Sequence, residues 1–183
     1  ATSLALFSKY GKDGLEQCAK DNDLAVNFSA CKDDEEKALA LLAASYSAGI
    51  DIIVAADIGE ALQVEAKRML AEKPNNRFRL KAIAGGGGKG QRILQSVNSY
   101  DVANLEEKLE KAAEVVPSLV LECLIELKTN GVGDNKNVLI EMNIDTTRHQ
   151  EIQVIGNGEW CMTMGGRDCS LQMHEQKLLE VSV

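Results

Sequence analysis

A chain of 183 residues, 45% hydrophobic and 26% charged, has the composition of a folded globular protein and the length for one sizeable core or two small ones, which excludes disorder and collagen. Against 28 Asp and Glu stand only 20 Lys and Arg, a net charge of -8, so no overall field draws the molecule to nucleic acid or to an anionic membrane. Five cysteines, an odd count without a C-x-x-C pair, exclude a disulfide framework and a zinc cage and point to a reducing, cytoplasmic setting. No apolar run reaches the ~18 to 20 residues of a membrane helix, and the N-terminus carries no secretory pattern.

Residues 1–76 read as a helical N-terminal segment. Asp33 to Gly49 has an acidic start, a long run of Ala and Leu and a terminal glycine, the signature of a capped helix. Ile50 to Val54 is a short β-rich run. Asp57 to Lys73 returns to helical spacing, with Ile58, Ala61, Leu62, Met69 and Leu70 inward and Pro74 closing it. Arg77 to Ile83 alternates Phe78, Leu80 and Ala82 with Arg77, Arg79 and Lys81, so a strand runs directly into the glycines. Arg92 to Val97 reads as a second strand, after which Ser99 caps a helix carrying Tyr100, Val102, Leu105, Leu109 and Ala112 on one face. Pro117 to Lys128 is ambiguous by pattern, with proline near its start and Gly131 beyond its end favouring a helix. Asn137 to Ile144 is strand-like, and Gln150 to Ile155 and Glu159 to Met164 flank Asn157-Gly158, a strong hairpin signal.

Five glycines fall within six positions, Gly85, Gly86, Gly87, Gly88 and Gly90, interrupted by Lys89. Taken alone such a run also suits a flexible linker. Its strand-like flanks at hairpin spacing favour a flap, in which backbone N–H groups approach a phosphate chain with no side chains in the way. A P-loop is excluded because Lys89 is followed by Gly90 and Gln91 in place of Ser or Thr and a helix. Gly85, Gly87 and Gly90 match the dinucleotide fingerprint only formally, since a strand follows where that fingerprint requires a helix. Spacing alone favours reading Lys81 as a solvated strand lysine over a phosphate contact. Further on, His149, Glu151 and Gln153 share one strand face, and the polar run continues through Arg167, Asp168, Ser170, Gln172 and Lys177.

The stretches KAIAGGGGKGQR from Lys81, Glu141 ahead of RHQEIQV from Arg148, and RDCSLQ from Arg167 followed by Gln176-Lys177 resemble, in order and near the family spacing, the motifs of the biotin carboxylase branch of the ATP-grasp superfamily. The resemblance implies an α+β fold in which residues 77–145 form an ATP-grasp lid with a glycine flap and residues 146–183 begin the C-terminal ATP-grasp subdomain, truncated at Val183. It implies that Lys81 and the loop Gly85, Gly86, Gly87, Gly88, Lys89 and Gly90 hold ATP phosphates. Glu141, Met142, Asn143 and Ile144 would form the hinge against adenine, His149 and Gln172 would line the nucleotide site, and Lys177 would sit where bicarbonate is held. Lys37 aligns with the family lysine that reaches the phosphates and is equally readable as a surface helix lysine.

The implied reaction is attack of bicarbonate on the ATP γ-phosphate to give carboxyphosphate, which carboxylates biotin on a carrier domain; a carboxyltransferase then chooses the acceptor. Magnesium ligands are expected beyond Val183 and none within this chain. Where the family has Arg-Arg-His, this sequence has Met173-His174-Glu175, and Gly166 replaces a glutamate. These departures keep two other readings open, an ATP-grasp ligase acting on a different carboxylate and a degenerate ATP-binding or regulatory module.

Overall fold

The computed structural model describes residues 1–83, 88–131, 136–173 and 176–183. These fall into two compact units, one ending at Asn143 and one running from Ile144 to Val183, with Gly88 grouped with the latter. Helices combined with antiparallel sheets make the fold α+β, as the family resemblance implies. No described helix is long and apolar enough to cross a membrane.

In the first unit, α1 (Thr2–Tyr10) and α2 (Leu15–Asp21) lead to α3 (Asp34–Ala48). The Asp33 carboxylate accepts from the Glu36 amide at 2.8 Å, Glu36 accepts in return from the Lys32 amide at 2.8 Å, and Gly49 closes the helix at φ 68. Start and stop are thus set by side chains and backbone that satisfy groups the helix itself cannot. The strand expected at Ile50 to Val54 is instead a loop. Ile52 and Ile53 are both buried, at 3% and 4% exposure, and no described strand pairs with them. A strand with one covered face would bury alternate residues; two adjacent buried isoleucines mark a connection pressed into the core.

Helix α4 (Ala55–Glu72) begins where Asp57 accepts from the Val54 amide at 2.7 Å and from Lys9 Nζ at 2.8 Å. Its inner face carries Ile58, Ala61, Leu62, Ala66 and Leu70, all buried. After the sheet, α5 (Leu105–Glu114) starts later than Ser99. Val97 is fully buried and its amide donates to Pro74 O at 3.1 Å, so residues 97–99 are held in a 3-10 turn. Asn104 supplies the cap, its Oδ1 accepting from the Glu107 amide at 2.8 Å. Helix α6 (Val116–Thr129) follows at once, with proline in its first turn and Val116, Val120, Cys123 and Leu127 buried.

Strands β1 (Phe78–Ala82), β2 (Gln91–Leu94) and β3 (Val138–Met142) form an antiparallel sheet in the order β2-β1-β3. Phe78, Leu80 and Ala82 are buried while Arg79 and Lys81 are half-buried on the opposite face. At the end of the glycine run, Gly90 has φ 70, and a Cβ there would lie 3.0 Å from the Leu127 side chain and 3.2 Å from Ala82 Cβ. Only glycine fits both the backbone and the space.

The second unit is a hairpin of β4 (Gln150–Gly156) and β5 (Cys161–Asp168), extended by β8 (Val181–Ser182), beside a short pair of β6 (Gln172–Met173) and β7 (Gln176–Lys177). Asn157 organises the turn by accepting from the Glu159 and Trp160 amides, each at 3.1 Å. A bulge lies between Ile152 and Val154. Among its described residues, Cys169 is the only buried apolar side chain.

Gly59 on α4 tests the helix packing. An alanine Cβ would meet Pro117 Cα at 2.9 Å, so the gain of about 1 kcal/mol in helix propensity is outweighed by an overpacking cost of about 1–3 kcal/mol. G59A is expected to lower the urea midpoint with an unchanged denaturant slope; an unchanged or raised midpoint would show that the helices separate at no cost.

Candidate functional site

The sheet of the first unit brings several of the sequence-predicted residues to one face. Lys81 lies opposite Gln91 on β2 and Leu139 on β3, and Arg79 lies opposite Ile93 and Glu141. Because side chains alternate along a strand, Arg79, Lys81, Gln91 and Glu141 share the face turned away from Phe78 and Leu80. Arg79 anchors this face. Its Nη1 donates to Gln91 Oε1 at 2.6 Å, and its Nε and Nη2 donate to Asn143 Oδ1 at 3.1 and 2.9 Å. Asn143, predicted as part of an adenine hinge, is buried and its amide donates to Arg77 O at 2.9 Å. Met142 is exposed, with Asn76 Nδ2 3.1 Å from its sulfur. Arg79 was visible in the sequence as part of the alternation; its partners were not.

Of the predicted phosphate loop, Gly85, Gly86 and Gly87 lie outside the described residues. Gly88 has φ 80. Lys89 donates to Asn130 Oδ1 at 2.9 Å, and Arg92 reaches Glu122 at 2.8 Å and Glu126 at 2.7 Å, all on or just beyond α6. Arg92 and the Gly90 amide together hold the Glu126 carboxyl below its usual range, the arginine contributing more. The trailing limb of the loop is therefore tied to one helix. Lys37 sits in the first turn of α3, 3.7 Å from Asp34. A hollow of about 400 Å³ in this unit is lined by Leu39, Leu42, Tyr46, Ile50, Ile53 and Lys136 among others. It contains none of the predicted residues, and Lys136 at its rim pairs with Asp51.

In the second unit His149 and Gln172 come together, Gln172 Nε2 lying 3.1 Å from His149 Nδ1 and donating to Cys169 O at 2.9 Å. The Cys169 amide donates to His149 O at 2.7 Å and the His149 amide to Ser170 Oγ at 2.9 Å, so the entry to β4 is laced to the exit of β5. Lys177 lies opposite Gln172 across β6-β7 and its ammonium pairs with Glu151. Ile144 is exposed. Lys177 holds the Glu151 carboxyl low, with Arg167 adding to the effect.

His149, Glu151 and Cys169 bring three potential ligand atoms within 4.8 Å of one another. The set does not fit magnesium, which requires hard oxygen donors, and the Glu151 oxygens are already engaged by Arg167 and Lys177. No magnesium is assigned to these residues.

Asp168 closes this framework. Hydrogen bonds from Ser170, and then the Arg148 ion pair, hold its carboxyl at about 2 against an ordinary 3.8. For a depressed carboxyl, stability is present above the unfolded value and is lost as pH falls through the folded one. The Ser170 amide resonance, whose N–H donates to Asp168 Oδ1 at 3.0 Å, is expected to titrate with a midpoint near 2 and to lose that step in D168N. A midpoint at 3.8 would mean that the lacing does not hold in solution.

The chain is similar to the 2-oxoglutarate carboxylase small subunit of Hydrogenobacter thermophilus, with 32% identity over 136 residues, 74% of this chain and 25% of the relative. It is also similar to the mitochondrial alpha subunit of methylcrotonoyl-CoA carboxylase of Dictyostelium discoideum, 33% identical over 182 residues, 95% of this chain and 22% of the relative. Among solved structures, it is similar to the biotin carboxylase domain dimer of the Hydrogenobacter thermophilus 2-oxoglutarate carboxylase, crystallised with MgADP, ADP and bicarbonate. That likeness has 34% identity, covers 64% of this chain and 22% of that one, and has a TM-score of 0.43. The chain thus spans a quarter or less of the length of these curated relatives. Residues 40–182 match the family described as carbamoyl-phosphate synthase L chain, ATP binding domain, and with most of its length matched the chain belongs to that family.

Proposed function

We propose that this chain is the ATP-binding portion of a biotin carboxylase, an ATP-dependent ligase that works in the cytoplasm and carboxylates biotin from bicarbonate. The observation that carries this function is the family match over residues 40–182, within which the motifs KAIAGGGGKGQR, RHQEIQV and RDCSLQ stand in order. The carboxylases among its relatives support it.

In this function Lys81 and the loop from Gly85 to Gly90 neutralise and hold the ATP phosphates. Glu141 accepts from the adenine amino group, with the backbone of Met142, Asn143 and Ile144 completing the hinge, and His149 and Gln172 line the nucleotide. Lys37 is a further candidate for the phosphates. Lys177 holds bicarbonate. A bicarbonate oxygen attacks the γ-phosphorus, the bond to the ADP oxygen breaks, and carboxyphosphate forms; its carboxyl group passes to a ureido nitrogen of carrier-bound biotin and phosphate departs. The protein's part in such a transfer is to place two anions against each other and offset their repulsion with fixed positive charge. Biotin and magnesium are assigned to no residue of this chain, and a carboxyltransferase partner selects the final acceptor.

The test uses the full-length protein. Bicarbonate-dependent ATP hydrolysis and carboxybiotin formation are expected, and K81Q is expected to raise the ATP concentration for half-saturation roughly ten- to a hundredfold, the size of a charged hydrogen bond. ATP binding without turnover would overturn the ligase and favour the regulatory module that Met173-His174-Glu175 suggests; turnover with another carboxylate and not bicarbonate would favour a different ATP-grasp ligase. The 183-residue chain alone is expected to bind ATP weakly and to form no carboxybiotin.

A further inference from the structure

Lys177 stands in a closed ring of charge. The Glu151 carboxylate bridges the Lys177 ammonium and Arg167 Nη2, and the Glu180 carboxylate bridges the same two cations, 2.8 Å from Arg167 Nη1 and 3.6 Å from Lys177 Nζ. Four separate stretches supply its members: Glu151 on β4, Arg167 directly opposite it on β5, Lys177 on β7, and Glu180 just ahead of β8. Two carboxylates face two cations, and each acid touches both bases. Arg167 and Glu180 also line, with Gln153, Met164 and Ser182, a hollow of about 420 Å³ within this unit.

A lone exposed lysine–glutamate pair holds little, because the long lysine side chain keeps most of its rotamers and water screens the attraction. Here Glu151 is shared with Arg167, whose planar fork is itself fixed by Glu180, so the ring restrains Lys177 from two sides. We propose that Arg167 and Glu180 are positioning residues for Lys177, holding its ammonium in one place for a small oxyanion of the bicarbonate class. The oxyanion role rests on the function proposed above; the ring itself does not.

The groups facing Lys177 are Glu151 on β4, Cys169 after β5, and Glu180, with Arg167 and His149 acting on Glu151 from behind. Glu151 contributes most to raising the Lys177 ammonium above its ordinary value, and Glu180 adds to it. The sign of each substitution follows. Removing Glu180 takes away a carboxylate and lowers the lysine pKa; removing Arg167 leaves Lys177 between two carboxylates with no competing cation and raises it.

The experiment is acylation of lysines in the 183-residue chain by an excess of N-acetoxysuccinimide between about pH 8 and 11, with Lys177 followed by peptide mass spectrometry. In E180Q the Lys177 profile should move to lower pH, with labelling roughly three- to tenfold faster below the midpoint. R167Q should move it to higher pH with slower labelling, and E180D should return it towards the parent. E159Q, at the β4-β5 turn, should change nothing. Loosening without positioning would expose Lys177 in both variants and move both profiles the same way. Shifts of one sign in both variants, or no shift in E180Q, would overturn the proposal. No bicarbonate or nucleotide is present, so the result stands apart from the turnover assay that tests the function.

Discussion

Helices α4 and α6 come together where Gly59 meets Pro117, and the first unit is arranged around that contact. The absence of a side chain at Gly59 lets α6 settle low enough to set Val116, Val120, Cys123 and Leu127 in the core. Phe78, Leu80 and Ala82 of β1 are buried in the same cluster. Large side chains such as Phe78 and Leu80 each contribute about 1.5–3 kcal/mol through burial, so a handful of them is comparable to the whole net stability of a domain. Burial also pushes the Cys123 thiol up to about 11, leaving it inert at neutral pH. With one sheet face committed to the core, Arg79, Lys81 and Glu141 are left on the other. The same helix receives Gly90, Lys89 and Arg92, so core packing and the set of the glycine loop depend on one element.

The second unit is built on the opposite principle. Ile152, Val154, Met162 and Met164 are all more than half exposed, and the links between its strands are polar: Asp168 with Arg148 and Ser170, His149 with Gln172, and the ring around Lys177. Ion pairs of this kind hold geometry better than they hold stability. A sheet with little apolar cover keeps its charged side chains within reach of solvent and of anions, at a cost in independent stability.

Much of the first unit was legible because its elements announce themselves locally. Asp33 and Gly49 bound a helix, Phe78, Leu80 and Ala82 alternate, and Asn157-Gly158 turns a hairpin. The failures have the same origin. Ile50 to Val54 has strand composition, yet periodicity does not distinguish an edge strand from a loop pressed into the core on both sides. Ser99 and Asn104 are both good caps, and the choice between them was made by Val97, whose burial and bond to Pro74 act over more than 20 residues of chain. The pairing of Arg79 with Asn143, 64 residues apart, and of Arg167 with Glu180 depends on register, which no spacing rule supplies. Motif resemblance identified Lys81, Glu141, His149, Gln172 and Lys177 as candidates without indicating which neighbours would hold them.

The division of the chain also divides its spectroscopy. The single tryptophan, Trp160, lies half-exposed at the β4-β5 turn of the second unit, while every described α-helix lies in the first. Indole emission therefore reports on the hairpin and far-ultraviolet ellipticity chiefly on the helical body. Two optical signals on the unlabelled chain follow the two units separately, and any difference between their unfolding curves measures how far the units melt as one.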